Sequence, residues 1–398
     1  MKSFLFCFAF SIVNLISFSQ NNDTLNSVYK NTSDLLMDKD ARLTLGGYAQ
    51  IDYNQPISGD VKKLGTLDVH RMVLLFGYKF NNRTQFITEL EFEHVSEVFV
   101  EQAFLDYKIN RFINFRGGLL LVPMGIINEY HEPTVFNGVE RPEVDNILSP
   151  TTWREIGFGI TGNFPIASLK YQLYLLNGFN GYDKEDGALL SGSKGFRNAR
   201  QKGAESYISS PNYSAKVEYY GFRGLNLGLA TYIGKTQSYL YNDLDNNSEL
   251  DIATADSSTV MLTMLGVDAR WNYKGFGVKG QMYYSNIGNS NAYNTFTGKD
   301  MGSAMLGYYG ELSYNVFRLV PKIKTELVPF IRYEHFNTHE KVEGSLVAND
   351  NYSKNFISTG LGWRITPGAV IKVDMQWSRS KAEATFNKMF NAGIGIQF

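Results

Sequence analysis

The stretch Lys388–Phe398 reads KMFNAGIGIQF and closes the chain. In an extended conformation Phe390, Ala392, Ile394, Ile396 and Phe398 point one way, and Asn391, Gly393, Gly395 and Gln397 point the other. One face is apolar with an aromatic at its edge, and the other is polar or small. A strand of this kind stands between an apolar medium and water.

The same alternation recurs upstream. Ala369, Ile371, Val373, Met375 and Trp377 oppose Val370, Lys372, Asp374, Gln376 and Ser378. Phe276, Val278, Met282 and Tyr284 oppose Lys279, Gln281, Tyr283 and Ser285. Leu169, Tyr171, Leu173 and Leu175 oppose Lys170, Gln172 and Tyr174. Phe86, Leu90 and Phe92 oppose the row Glu89, Glu91 and Glu93. About sixteen such segments fit the chain.

The start of the chain matches an export signal. Met1-Lys2 is a basic start, Phe4 to Ile16 is mostly apolar, and Ser17-Phe18-Ser19 offers a small-x-small cleavage site. Residues 1–19 are therefore expected to be a signal peptide. The lone Cys7 lies inside it, so the mature chain has no thiol for a disulfide or a thiolate metal site. Loss of Lys2 with no acid moves the formal charge from −1 to −2, which gives no argument for nucleic-acid binding. No later segment is apolar for the roughly 20 residues of a membrane-spanning helix.

A soluble β-sandwich also alternates, so the connections must decide. Tight ones at Asn81-Asn82, Asn110-Arg111, Phe164-Pro165, Lys274-Gly275 and Thr366-Pro367 alternate with long ones such as Pro123 to Trp153 and Phe179 to Pro211. That parity is the pattern of an up-and-down barrel with short periplasmic turns and long external loops. The expectation is an all-β, transmembrane, antiparallel barrel over residues 43–398, in the outer membrane of a Gram-negative bacterium. Residues 20–42 are expected to be a short periplasmic leader.

One region carries a more specific pattern: LLLVPMGIINEY, then NGVERPEV, then WREIGFGITG. It supplies Pro123-Met124-Gly125, Glu129, the pair Glu140-Arg141, and Arg154 with Gly157 three residues on. This order resembles the phosphate-selective porin O and P family, most closely from Gly46 to Gly162. The resemblance implies a sixteen-stranded, homotrimeric diffusion channel with loops folded into the lumen. Small hydrophilic solutes or anions such as phosphate would pass, and the terminal Phe398 would address the barrel-insertion machinery.

A passive pore needs a polar wall and a narrow point rather than a catalytic constellation. The candidate lining and constriction residues are Arg116, Glu129, Glu140, Arg141, Arg154, Lys170, Lys216, Arg270, Lys279, Arg364 and Lys372. Further basic candidates are Lys79, Arg83, Lys108 and Arg332. Acidic ones are Glu89, Glu91, Glu93, Asp106, Glu218, Asp268, Glu311, Glu334 and Asp374. This mixture departs from the nearly one-sided basic ladder of that family. The segment Pro123 to Trp153, charged and stiffened by Pro133, Pro142 and Pro150, is the candidate lumen insert.

Other readings have less behind them. Asp243, Asp245, Asn247, Glu249 and Asp251 alternate like calcium ligands, but Ser248 and Thr254 replace the glycine and the final Glu of an EF-hand loop. They read as a solvated acidic loop. The five histidines are scattered, and no nucleophile-elbow or zinc-protease motif occurs. Neither an enzyme nor a cofactor is expected. The alternative to a channel is a barrel plugged by its own loops that serves binding, adhesion or scaffolding.

Overall fold

A computed structural model describes residues 30–57, 59, 61–320 and 322–398; the expected signal peptide lies outside the described residues. The first strands are β1 (Leu43–Pro56), β2 (Thr66–Lys79), β3 (Thr84–Glu93), β4 (Glu97–Lys108) and β5 (Asn114–Leu121). Next come β6 (Arg154–Phe164), β7 (Leu169–Leu176), the short β8 (Asn180–Asp183) and β9 (Gly187–Ala188), and β10 (Asn212–Phe222). Then follow β11 (Leu225–Lys235), the short β12 (Gln237–Ser238), β13 (Met261–Tyr273), β14 (Phe276–Gly288) and β15 (Ala304–Tyr314). The series ends with β16 (Glu326–Lys341), β17 (Ser353–Thr366), β18 (Ala369–Ser380) and β19 (Asn387–Gln397).

Sixteen of these form one closed antiparallel barrel, each paired with its neighbours in the chain once β8, β9 and β12 are set aside. Closure is made by β1 against β19, with Ile51 opposite Ile394 and Tyr48 opposite Gln397. Phe398 extends the seam: its N–H donates to the Gly47 carbonyl at 2.9 Å and its carbonyl accepts from Gly47 at 3.1 Å. Closure satisfies every strand edge, and each unpaired peptide group in hydrocarbon would cost several kcal/mol, roughly.

The expected faces are the observed ones. Ile394 and Ile396 are 43% and 40% exposed on the outside, whereas Asn391 between their strand neighbours is 1% exposed inside. Rings gather beside the tight turns, as an interfacial girdle requires: Phe112 stacks on Phe164 at 5.2 Å and Phe276 meets Tyr314 at 4.5 Å. The β13–β14 turn holds Lys274 and Gly275 at φ 49° and 86°, the doubly positive geometry of a two-residue hairpin, which a glycine makes cheap.

Four helices lie among the described elements. Helix α1 (Thr32–Asp38) falls within residues 20–42, expected to be a leader, and sits inside the turn-side mouth of the barrel. Its Thr32 and Ser33 are buried, and Leu36 joins the core beside Leu75 and Ile87. Helix α2 (Val144–Ile147) lies in the lumen segment. The acidic run is exposed throughout, and its last two members, Glu249 and Asp251, fall in α3 (Glu249–Ser257), where the Ser248 hydroxyl accepts from the Asp251 N–H and caps the helix. Helix α4 (Ser290–Thr297) and the small sheet β12-β8-β9 lie in the long connections.

Candidate functional site

The segment between β5 and β6 turns into the barrel rather than out of it. Gly125 makes the entry turn at φ 70°, and any Cβ there would lie 1.7 Å from the Tyr283 hydroxyl. From there to Trp153 most side chains are buried. The neck is held at Val122, whose N–H donates to the Trp153 carbonyl at 3.0 Å.

A loop crossing a lumen has no ladder, so its peptide groups need side-chain partners. The wall supplies them. Lys216 Nζ donates to the Gly125 carbonyl at 2.7 Å, and Lys279 to Val135 at 2.5 Å. Arg364 donates to Thr134 at 2.5 Å. Lys372 reaches Phe136 and Gly138 at 2.7 and 2.9 Å. Arg332 reaches the Glu140 carbonyl at 3.3 Å.

Acidic wall residues take the opposite part. Asp374 accepts from the Val139 N–H at 2.6 Å and Glu334 from the Glu143 N–H at 2.6 Å. The mixed signs of the inward wall thus have a physical reason: the loop backbone offers both acceptors and donors. Four of the candidate lining residues, Lys216, Lys279, Arg364 and Lys372, are engaged in this way.

The remaining candidates divide between ion pairs and two cavities. Glu129 pairs with Lys216 at 2.5 Å and accepts from Gln172. Arg270 pairs with Glu218 at 2.5 Å and lies 4.3 Å from the Tyr130 ring centroid. Glu140 accepts from Asn54 at 2.9 Å. Arg116 pairs with Asp106 at 3.1 Å, and Lys170 with Asp34 of α1 at 3.2 Å. Arg154 is 4.0 Å from Glu101.

Arg116 and Lys170 line a cavity of about 500 Å³ at the turn-side end, together with Lys79, Arg83 and Lys108. Arg141 and Arg154 line a second cavity of about 230 Å³ on the loop side, together with Arg197, Arg200 and Lys202 and with the carboxylates of Glu91, Glu93, Glu140, Glu143 and Asp145. Both lie along the wall from β2 to β7, one on each side of the lumen loop. Burial, then Arg197 and Arg154, push the Arg200 guanidinium below its usual pKa. Burial, then Arg71, do the same for Arg141. Cations and carboxylates are interleaved here.

Sequence reasoning did not reach Arg197, Arg200 and Lys202. They sit in the long β9–β10 connection, and no periodicity marks them as lining anything.

α1 closes on the loop from below. The Thr32 N–H donates to Glu132 at 2.9 Å, Asn31 donates to the Glu129 carbonyl at 3.2 Å, and Gln397 donates to Thr32 at 2.9 Å. Asn31 and Thr32, in the stretch expected to be a leader, therefore contribute to the lumen.

No protein-family model matches the chain. It is 27% identical over 349 residues to an uncharacterised protein of Aquifex aeolicus, covering 83% of this chain and 74% of that one. Among solved structures, the OmpF complex of Salmonella typhi with daunomycin superposes with a TM-score of 0.57 at 12% identity, covering 89% and 97% of the two chains. The anion-selective porin from Comamonas acidovorans gives 0.54 at 11%, covering 89% and 99%. OmpT of Vibrio cholerae, expressed in the outer membrane, gives 0.52 at 11%, covering 90% and 99%. The chain has the sixteen-stranded barrel fold of porins.

Proposed function

We propose that this chain is an outer-membrane diffusion channel for small hydrophilic solutes, with a preference for anions. The observation that carries this reading is the turn-side cavity, where seven Lys and Arg outnumber four Asp and Glu; the loop-side cavity is lined by five of each. A narrow passage lined by fixed positive charge concentrates anions and excludes cations. The fold shared with a porin named as anion-selective supports the same direction. Phosphate is one such anion, as the motif resemblance implies, and a homotrimer is the assembly that resemblance implies.

Planar-bilayer recording under a potassium chloride gradient tests it. The reversal potential should lie on the anion side, most strongly at low salt where screening is weak. A cation-side potential overturns the anion preference, and absence of conductance overturns the channel.

One observation favours a second reading, a self-plugged barrel that acts through its external surface. Lys216, Lys279, Arg364 and Lys372 are engaged by the loop backbone, and α1 occupies part of the mouth below it. Removing residues 30–40 separates the two. Under the channel reading the wild type conducts and the truncated barrel conducts more. Under the plugged reading only the truncated barrel conducts.

A further inference from the structure

Three side chains from distant parts of the chain converge where the lumen loop meets the wall. Glu89 on β3, Glu101 on β4 and His131 in the loop are 2%, 0% and 3% exposed. One donor atom from each lies within 4.8 Å of the other two. His131 Nε2 is 3.4 Å from Glu101 Oε2 and 3.8 Å from Glu89 Oε1. It is buried and has no hydrogen-bond partner.

His131 and Glu89 are held from behind, and Glu101 faces a guanidinium. His131 Nδ1 lies 3.2 Å from the Asn128 carbonyl. With its proton placed there, the Nε2 lone pair points at the two carboxylates. The other oxygen of Glu89 accepts from Gln102 at 2.6 Å, and the other oxygen of Glu101 faces Arg154 at 4.0 Å. The Tyr48 hydroxyl sits beside both near oxygens, at 2.9 and 3.2 Å. Outer partners that orient imidazole and carboxylate in this way are the usual surroundings of metal ligands.

Two carboxylate oxygens and an imidazole lone pair facing one another repel unless a proton or a metal cation stands between them. A tetrahedral ion with bonds of ~2.0–2.2 Å holds its ligand atoms roughly 3.4 Å apart, close to the separations found. A void of about 10 Å³ bounded in part by Glu89, His131, Gln102 and Glu132 adjoins the group, which is room for one water as a further ligand. One nitrogen with two oxygens suits zinc or another divalent transition metal rather than calcium, which takes 6–8 oxygens, roughly.

We propose that Glu89, Glu101 and His131 bind a divalent transition-metal ion of the zinc class, which fastens the lumen loop to the β3–β4 wall. This assignment does not depend on what the channel carries. Sequence alone could not show it, because the three residues share no spacing motif.

The test uses the full-length protein folded in detergent, stripped with EDTA, incubated with zinc chloride, gel-filtered and assayed for metal. Wild type should retain about one zinc per chain, and His131→Gln and Glu101→Gln about a tenth of that or less. His94→Asn, which alters the exposed His94 ring beside His70, should retain the wild-type amount. The proposal is overturned if wild type retains less than about a tenth of an equivalent. It is also overturned if the site variants bind like wild type, or if His94→Asn alone abolishes binding.

Should the site variants fail to fold, cobalt(II) binding to wild type gives the same answer. Visible absorption bands of a low-coordinate protein-bound cobalt, displaced by zinc, are expected. Their absence means that His131 is held between the carboxylates as an imidazolium, and the proposal fails.

Discussion

Asn128 clasps Trp153 with both ends of its amide: Nδ2 donates to the Trp153 carbonyl at 2.8 Å and Oδ1 accepts from the Trp153 N–H at 2.7 Å. The same Nδ2 also reaches the Val122 carbonyl at 2.7 Å. This pairing ties the two ends of the lumen segment together where it leaves the wall. Asn128→Ala strips the buried Trp153 N–H of its acceptor, a cost of about 1–3 kcal/mol. Residues 122–153 should then exchange amide hydrogens faster and become open to protease in folded barrels. Protection equal to wild type would show that the neck is held by the Val122–Trp153 bond alone.

Lys372 is the donor to two loop carbonyls, those of Phe136 and Gly138. Lys372→Met keeps most of the side-chain bulk and removes the donor. The loss should be about 1–3 kcal/mol if one carbonyl stays unsatisfied. The temperature at which the barrel loses its heat-modifiable gel mobility should fall, and Lys372→Arg should restore part of it. An unchanged transition for Lys372→Met would mean that water replaces the ammonium without loss.

Arg141 and Lys202 line the loop-side cavity, and neither is among the side chains tied to a loop carbonyl. Charge reversal by Arg141→Glu or Lys202→Glu should move the reversal potential toward cations, and the exposed Lys202→Glu should leave thermal stability within about 0.5 kcal/mol. The shift should shrink at high salt. If neither variant moves the potential, this cavity is not on the permeation route.

Asp145 in α2 accepts from Gln281 at 2.6 Å and from Tyr283 at 2.7 Å. Burial pushes its carboxyl up to about 7; Glu334 adds to the rise, and Tyr283, Gln281 and Arg332 oppose it. A folded-state pKa above the unfolded value of about 3.9 means that the protonated form favours the fold. That contribution is full below about pH 4 and lost as pH rises through about 7. Wild-type thermal stability should therefore fall between pH 5 and pH 8, and Asp145→Asn should show a shallower fall. Parallel pH profiles would remove Asp145 from the account.

The period-two pattern determined the barrel strands, their inward and outward faces and the parity of turns and loops. Which way Ile394 and Asn391 point follows from the pleat of their own strand, so no distant contact is needed to read it. The Pro123-Met124-Gly125 turn and the charged segment after it also stood out locally. What the inward lysines and glutamates meet was not written in their neighbours. Lys372 is directed inward by its strand, but its partners Phe136 and Gly138 lie more than two hundred positions away. Only closure of the barrel, with the loop's unladdered peptide groups seeking donors and acceptors inside it, brings them together. The same closure places His131 between Glu89 and Glu101 and carries Arg197, Arg200 and Lys202 to one cavity. Alternation is a property of a few bonded neighbours, whereas a filled lumen depends on the whole circumference.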